Sequence, residues 1–159
     1  ARLYFAYFLR VPDYGGLDFW TGFYGSGNPL DAIANAFAQS PEFVARYGAL
    51  DDTQFVTLVY RNVLGRDPDP SGLAFWVGQL AAGAFTRGQV MLGFSESAEY
   101  RDAIRNEVYV TMAYQGMLRR EADPSGFAFW VGTMDAGNTG RALLNGFLNA
   151  PEYRTRFLP

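Results

Sequence analysis

Between Asp52 and Leu64 the apolar residues Phe55, Leu58, Val59 and Val63 fall at the spacing of one helical face, and Gly65 behind them is a stop. This predicts a first helix. Asp69-Pro70-Ser71-Gly72 then breaks the apolar pattern with a carboxylate able to accept an orphan amide hydrogen and a proline placed where its missing N–H has no consequence. A second helix is expected to run from there to about Ala82, with Leu73, Trp76 and Leu80 on one face and Gly83 as its stop. A third, Arg87 to Phe94, carries Val90 and Phe94, and a fourth starts at Ser97. The start of that fourth helix is sharper in Ser40-Pro41-Glu42, where a hydroxyl cap, a proline and a dipole-favoured acid stand in order. Isolated alternations of strand period are outvoted by these caps.

The four-helix pattern recurs. Trp20, Trp76 and Trp130 stand 56 and 54 residues apart, and each ends a stretch of equal length that opens on Tyr4, Tyr60 or Tyr114. Within the stretch an arginine (Arg10, Arg66, Arg120), an aspartate (Asp13, Asp69, Asp123), a glycine (Gly16, Gly72, Gly126) and a phenylalanine (Phe19, Phe75, Phe129) recur in register. Farther on, FAQSPEF, FSESAEY and FLNAPEY answer one another and carry Glu42, Glu99 and Glu152. The expected fold is therefore all-α, with three tandem helical repeats of about 55 residues, near 1–49, 50–104 and 105–159, packed into one compact domain. Only three residues precede Tyr4, so the first helix of the first repeat reads as truncated and the chain as a fragment of a larger protein.

Composition narrows the chemistry. The 159 residues include no cysteine and no histidine, and all 13 basic residues are arginine, so no thiolate, imidazole or lysine amine is present to act as nucleophile, base or soft metal ligand. The expectation is a protein that is not an enzyme; no serine sits in a nucleophile elbow, and the recurrent acids stand at helix starts. A net charge of -3 with scattered arginines offers no basic stripe for nucleic acid, and the apolar runs are far too short to insert in a membrane. A chain of this length buries roughly 70% of its unfolded surface, so the core needs no disulfide or metal. An acidic, cysteine-free, glycine-rich chain fits an exported bacterial protein, extracellular or at the cell surface.

The strings LGRDPDPSGLAFWVGQLAAG (Leu64 to Gly83), ADPSGFAFWVGTMDAG (Ala122 to Gly137) and NAPEYRTRF resemble the bacterial family of domain of unknown function 4214. The resemblance is strongest in the second repeat and weakest in the first, where Val11 to Gly15 replace Asp67 to Ser71. It implies a helical module embedded in secreted or surface-layer-like proteins, without an assigned activity. Through Glu152 to Phe157 the chain is also distantly similar to the phycobilisome linker domain, which implies linker-like scaffolding, although this chain is acidic where those linkers are basic.

Several constellations carry alternative readings. Asp67-Pro68-Asp69-Pro70-Ser71-Gly72 matches the first half of an EF-type calcium loop, with Glu121 and Asp123 as its third-repeat equivalents, but Gly78 stands where the bidentate glutamate belongs. Helix capping by Asp69 explains the string with fewer assumptions. Arg10, Arg66 and Arg120 are either a row of contacts to a partner or internal forks to Glu42, Glu99 and Glu152, the favoured reading. Gly16, Gly72 and Gly126, at the third position of the second helix, cost about 1 kcal/mol relative to alanine, which predicts close approach of a neighbouring element. The Phe-Trp pairs read as core, with sugar stacking as the alternative, and Tyr14, Tyr24 and Tyr47 as freer contact candidates. Together these point to a structural and protein-interaction module, self-assembly included and without a cofactor; a calcium- or glycan-binding module is the alternative.

Overall fold

The computed structural model describes residues 1–157, and among these no strand occurs. The first repeat comprises α1 (Arg2–Phe8), α2 (Tyr14–Gly25), α3 (Leu30–Ala38) and α4 (Pro41–Tyr47). The second comprises α5 (Asp52–Leu64), α6 (Pro70–Ala81), α7 (Arg87–Ser95) and α8 (Ala98–Ala103). In the third, α9 (Arg105–Ala113) runs into a π-helical segment, Tyr114–Leu118, before α10 (Pro124–Asp135), α11 (Gly140–Asn149) and α12 (Pro151–Phe157). Helix starts are set by local chemistry. Asp51 closes a capping box with Gln54, Thr86 closes one with Gln89, and the Ser40 hydroxyl accepts from Phe43 N–H at 3.1 Å.

Where the sequence predicts one domain, the helices group into two compact units. The first unit contains residues 2–10 and 20–103; the second contains Ala1, residues 11–19 and, of the described residues, 104–157. Packing of α1 and α3 on α5 and α7 joins the helices on either side of residue 49. In the first unit α3 lies tightly against α7, and α1 lies against α5 and α7, so the first and second repeats share one core. Tyr7, Phe55, Val56, Val59, Val90 and Met91 are wholly buried there. The Tyr7 hydroxyl donates to the Ala34 carbonyl at 2.8 Å, and burial holds it well above the ordinary tyrosine range. The second unit has its own core of Val110, Tyr114, Leu118, Leu143 and Phe147, closed by half-buried Trp130 and Met134.

Candidate functional site

Each repeat is built around one phenylalanine. Phe37, Phe94 and Phe147 receive the ring of Tyr4, Tyr60 or Tyr114 at 4.9, 4.9 and 4.8 Å between centroids. On another side they meet Trp20, Trp76 or Trp130 at 5.4, 5.5 and 5.7 Å. Tilted and edge-on rings at these distances contribute about 1 kcal/mol each beyond area burial. The repeated tyrosine also explains the repeated glycine. A Cβ placed on Gly72 falls 2.5 Å from the Tyr60 hydroxyl oxygen, and one on Gly126 overlaps the Tyr114 hydroxyl. Only glycine lets the second helix of these repeats settle on the first.

The repeated aspartates are caps. Asp13, Asp69 and Asp123 accept from the N–H of Gly16, Gly72 and Gly126 at 2.7, 2.9 and 2.8 Å. Asp69 and Asp123 also accept from the hydroxyls of Ser71 and Ser125, two residues on. The Ser71 hydroxyl, then the Gly72 amide, holds the Asp69 carboxyl below the ordinary range, and for Asp123 the Gly126 amide leads and Ser125 follows. Of the other calcium candidates, Asp67 is ion-paired to Arg61 at 2.6 Å and Glu121 is exposed, its carbonyl accepting from Arg120. No three acidic side chains among the described residues converge as a metal site.

The repeated arginines diverge. Arg10 forks onto Glu42 at 2.7 and 2.8 Å, and Arg120 onto Glu152 at 2.8 and 3.0 Å. Each also lies over its repeat's tyrosine, 5.1 Å from Tyr4 and 4.9 Å from Tyr114. In these two repeats a second arginine, one turn past the glutamate, donates to the end of the first helix: Arg46 to Phe8 O, and Arg156 to Leu118 O. The second repeat departs from this arrangement. Arg66 lies 5.2 Å over Tyr60, but no ion pair joins it to Glu99, and Ala103 stands where the second arginine would be. A fork in every repeat, the sequence expectation, is thus found in the first and third only.

The Phe-Trp pairs split, contrary to their reading as core. The tryptophans are half-buried, whereas Phe19, Phe75 and Phe129 are 62%, 55% and 62% exposed. They occupy one register position in α2, α6 and α10, and α6 and α10 contain no fully buried residue at all. Sequence reasoning missed them by treating neighbours as partners. Adjacent helix positions lie about 100° apart, so a tryptophan facing its unit's core turns the preceding phenylalanine outward. Of the tyrosines proposed for contact, Tyr24 is 57% exposed. Tyr47 is half-buried, accepts from Asn62 at 3.1 Å, and lines an open groove of about 310 Å³ with Leu50 and Leu58. Tyr14 is half-buried as well, and its carbonyl accepts weakly from Gln115 at 3.5 Å.

A family model described as domain of unknown function (DUF4214) matches residues 34–104 and, again, residues 100–157. No curated protein matches the chain, and no solved structure does.

Proposed function

Starting from a chain that belongs to the DUF4214 family, we propose that it is a non-catalytic structural and protein-interaction module of an exported bacterial protein. The observation that carries this reading is the outward phenylalanine repeated in all three copies on helices that are apolar yet barely buried. The recurrent charged residues are used differently. The caps close helix starts and the forks of the first and third repeats tie helix to helix within a unit, which leaves the exposed aromatic rings as the repeated surface feature. Partners are other protein domains, in an assembly, a surface display or a linker-like scaffold. Absence of cysteine and an acidic balance suit export.

The test places a photoreactive phenylalanine analogue at position 75 or 129, with wholly buried position 55 as control, and irradiates bacteria carrying the full parent protein. Adducts to protein from 75 and 129 but not from 55, recovered in the extracellular or surface fraction, are expected. Equal yields at all three positions, or recovery from the cytosol, would sink the proposal.

A further inference from the structure

The third helix of each repeat occupies an equivalent position, aligned by Phe37 in α3, Phe94 in α7 and Phe147 in α11. Two of the three are each other's partners. Gly88 donates its N–H to Asn35 Oδ1 at 3.2 Å, and a Cβ there would fall 2.5 Å from the Asn35 backbone nitrogen, so α7 and α3 touch backbone to backbone. At the other end of the pair, Leu92 and Glu96 share a groove with Leu30 and Asp31. The start of each helix thus meets the later part of the other, and the pair is antiparallel. In α7 the contact residue Gly88 and the residues one and two turns on from it, Met91 and Ser95, are buried.

Counting from Phe147, the matching positions in α11 are Arg141, Leu144 and Leu148. Here the burial is reversed: Arg141 is exposed, Leu144 half-buried and Leu148 45% exposed. Inward, α11 is as well packed as its counterparts, through Leu143 and Phe147 in the core of the second unit. It therefore presents, on a settled helix, the outward face that α3 and α7 cover for one another.

We infer that α11 is a self-association surface, on which a second copy of this chain docks by its own α11, antiparallel and about a two-fold axis. The occupant follows from the internal pair: the outward face of this repeat helix is already seen to bind another helix of the same repeat position, and a two-fold axis sets the face against itself. The register of the internal pair, Gly88 against Asn35, sets Arg141 against Asn145 of the partner subunit. A guanidinium then meets an amide oxygen instead of a second cation, and Leu144 packs near its own copy. This inference names the partner for the interaction module proposed above and rests on that reading.

The experiment uses the whole chain, which has no cysteine. Arg141→Cys and Asn145→Cys are made separately and oxidised alone and as an equal mixture, while light scattering follows the wild type and Leu148→Glu over a range of concentrations. Expected are a concentration-dependent dimer, at least a tenfold weaker dimer for Leu148→Glu with unchanged circular dichroism, and several-fold more disulfide dimer in the mixture than in either variant alone. A wild type that stays monomeric, or disulfide yields equal in all three samples, overturns the inference. A dimer unaffected by Leu148→Glu but lost in Phe75→Ser/Phe129→Ser also overturns it, while leaving the broader interaction reading standing.

Discussion

In the second repeat Gly65 takes the left-handed backbone conformation after the first helix, with φ 63°; in the first and third, Leu9 and Arg119 take it with φ 50° and 49°. Glycine adopts this region freely, whereas a side chain there costs about 1 kcal/mol. The clamps follow the same division. Where the turn is strained, one arginine forks onto the fourth helix and another binds the last carbonyls of the first (Arg10 with Arg46, Arg120 with Arg156). Where glycine relaxes the turn, neither clamp exists, and Arg66 keeps only its tyrosine. One backbone shape is thus held in two ways, by tertiary charge pairs or by local freedom. A residue repeated in sequence need not repeat its partner.

The shared architecture is the baseline against which this difference is measured. Phe94→Ala and Phe147→Ala remove the ring common to both kinds of repeat, and each is expected to lose about 3–5 kcal/mol in urea unfolding. Gly72→Ala and Gly126→Ala push a methyl against a tyrosine hydroxyl and are expected to lose about 1–3 kcal/mol each, with Tyr60→Phe and Tyr114→Phe backgrounds recovering part of it. Arg120→Ala leaves Glu152 without its fork and Tyr114 uncovered, a loss of about 1–2 kcal/mol, whereas Arg66→Ala loses about 0.5 kcal/mol or less. Equal losses at the two arginines would erase the distinction. Gly65→Ala is expected to lose about 1 kcal/mol, while Leu9→Gly, relieving strain but loosening the unfolded chain, changes stability by less than about 0.5 kcal/mol.

The smallest effect is in pH. The hydrogen bond from Arg120 holds the Glu152 carboxyl below the ordinary glutamate range and raises the Arg120 guanidinium further. A carboxylate whose folded pKa is depressed stabilises the fold above its unfolded pKa and ceases to do so as pH falls through the folded one. The melting temperature is therefore expected to drop below about pH 4, and Glu152→Gln to flatten part of that drop.

Local signals were legible where one residue decides one hydrogen bond. The caps at Ser40, Asp69 and Asp123, the stop at Gly65 and the span of α5 all follow from side chains beside the backbone groups they satisfy. The π-helical turn from Tyr114 to Leu118 has no such marker. It begins at the tyrosine that must meet both Phe147 and Gly126, contacts made far along the chain. The core shared by the first two repeats was hidden for the same reason, since the approach of α3 to α7 depends on Gly88 meeting Asn35 across 53 residues. For the surface, the face shared by Leu73, Trp76 and Leu80 already turned Trp76 toward a neighbour, which is Phe94, and the same helical period turns Phe75 outward; reading the two rings as one pair hid that.

The division of tryptophans between the units gives the protein a built-in optical label. Trp20 and Trp76 belong to the first unit and Trp130 to the second, and each indole rests on a phenylalanine that releases it to water when its own unit opens. Emission from Trp130→Phe reports the first unit alone, and emission from Trp20→Phe/Trp76→Phe the second alone. The red shift of each can then be timed separately, so the order in which the two cores form can be followed without attaching a dye.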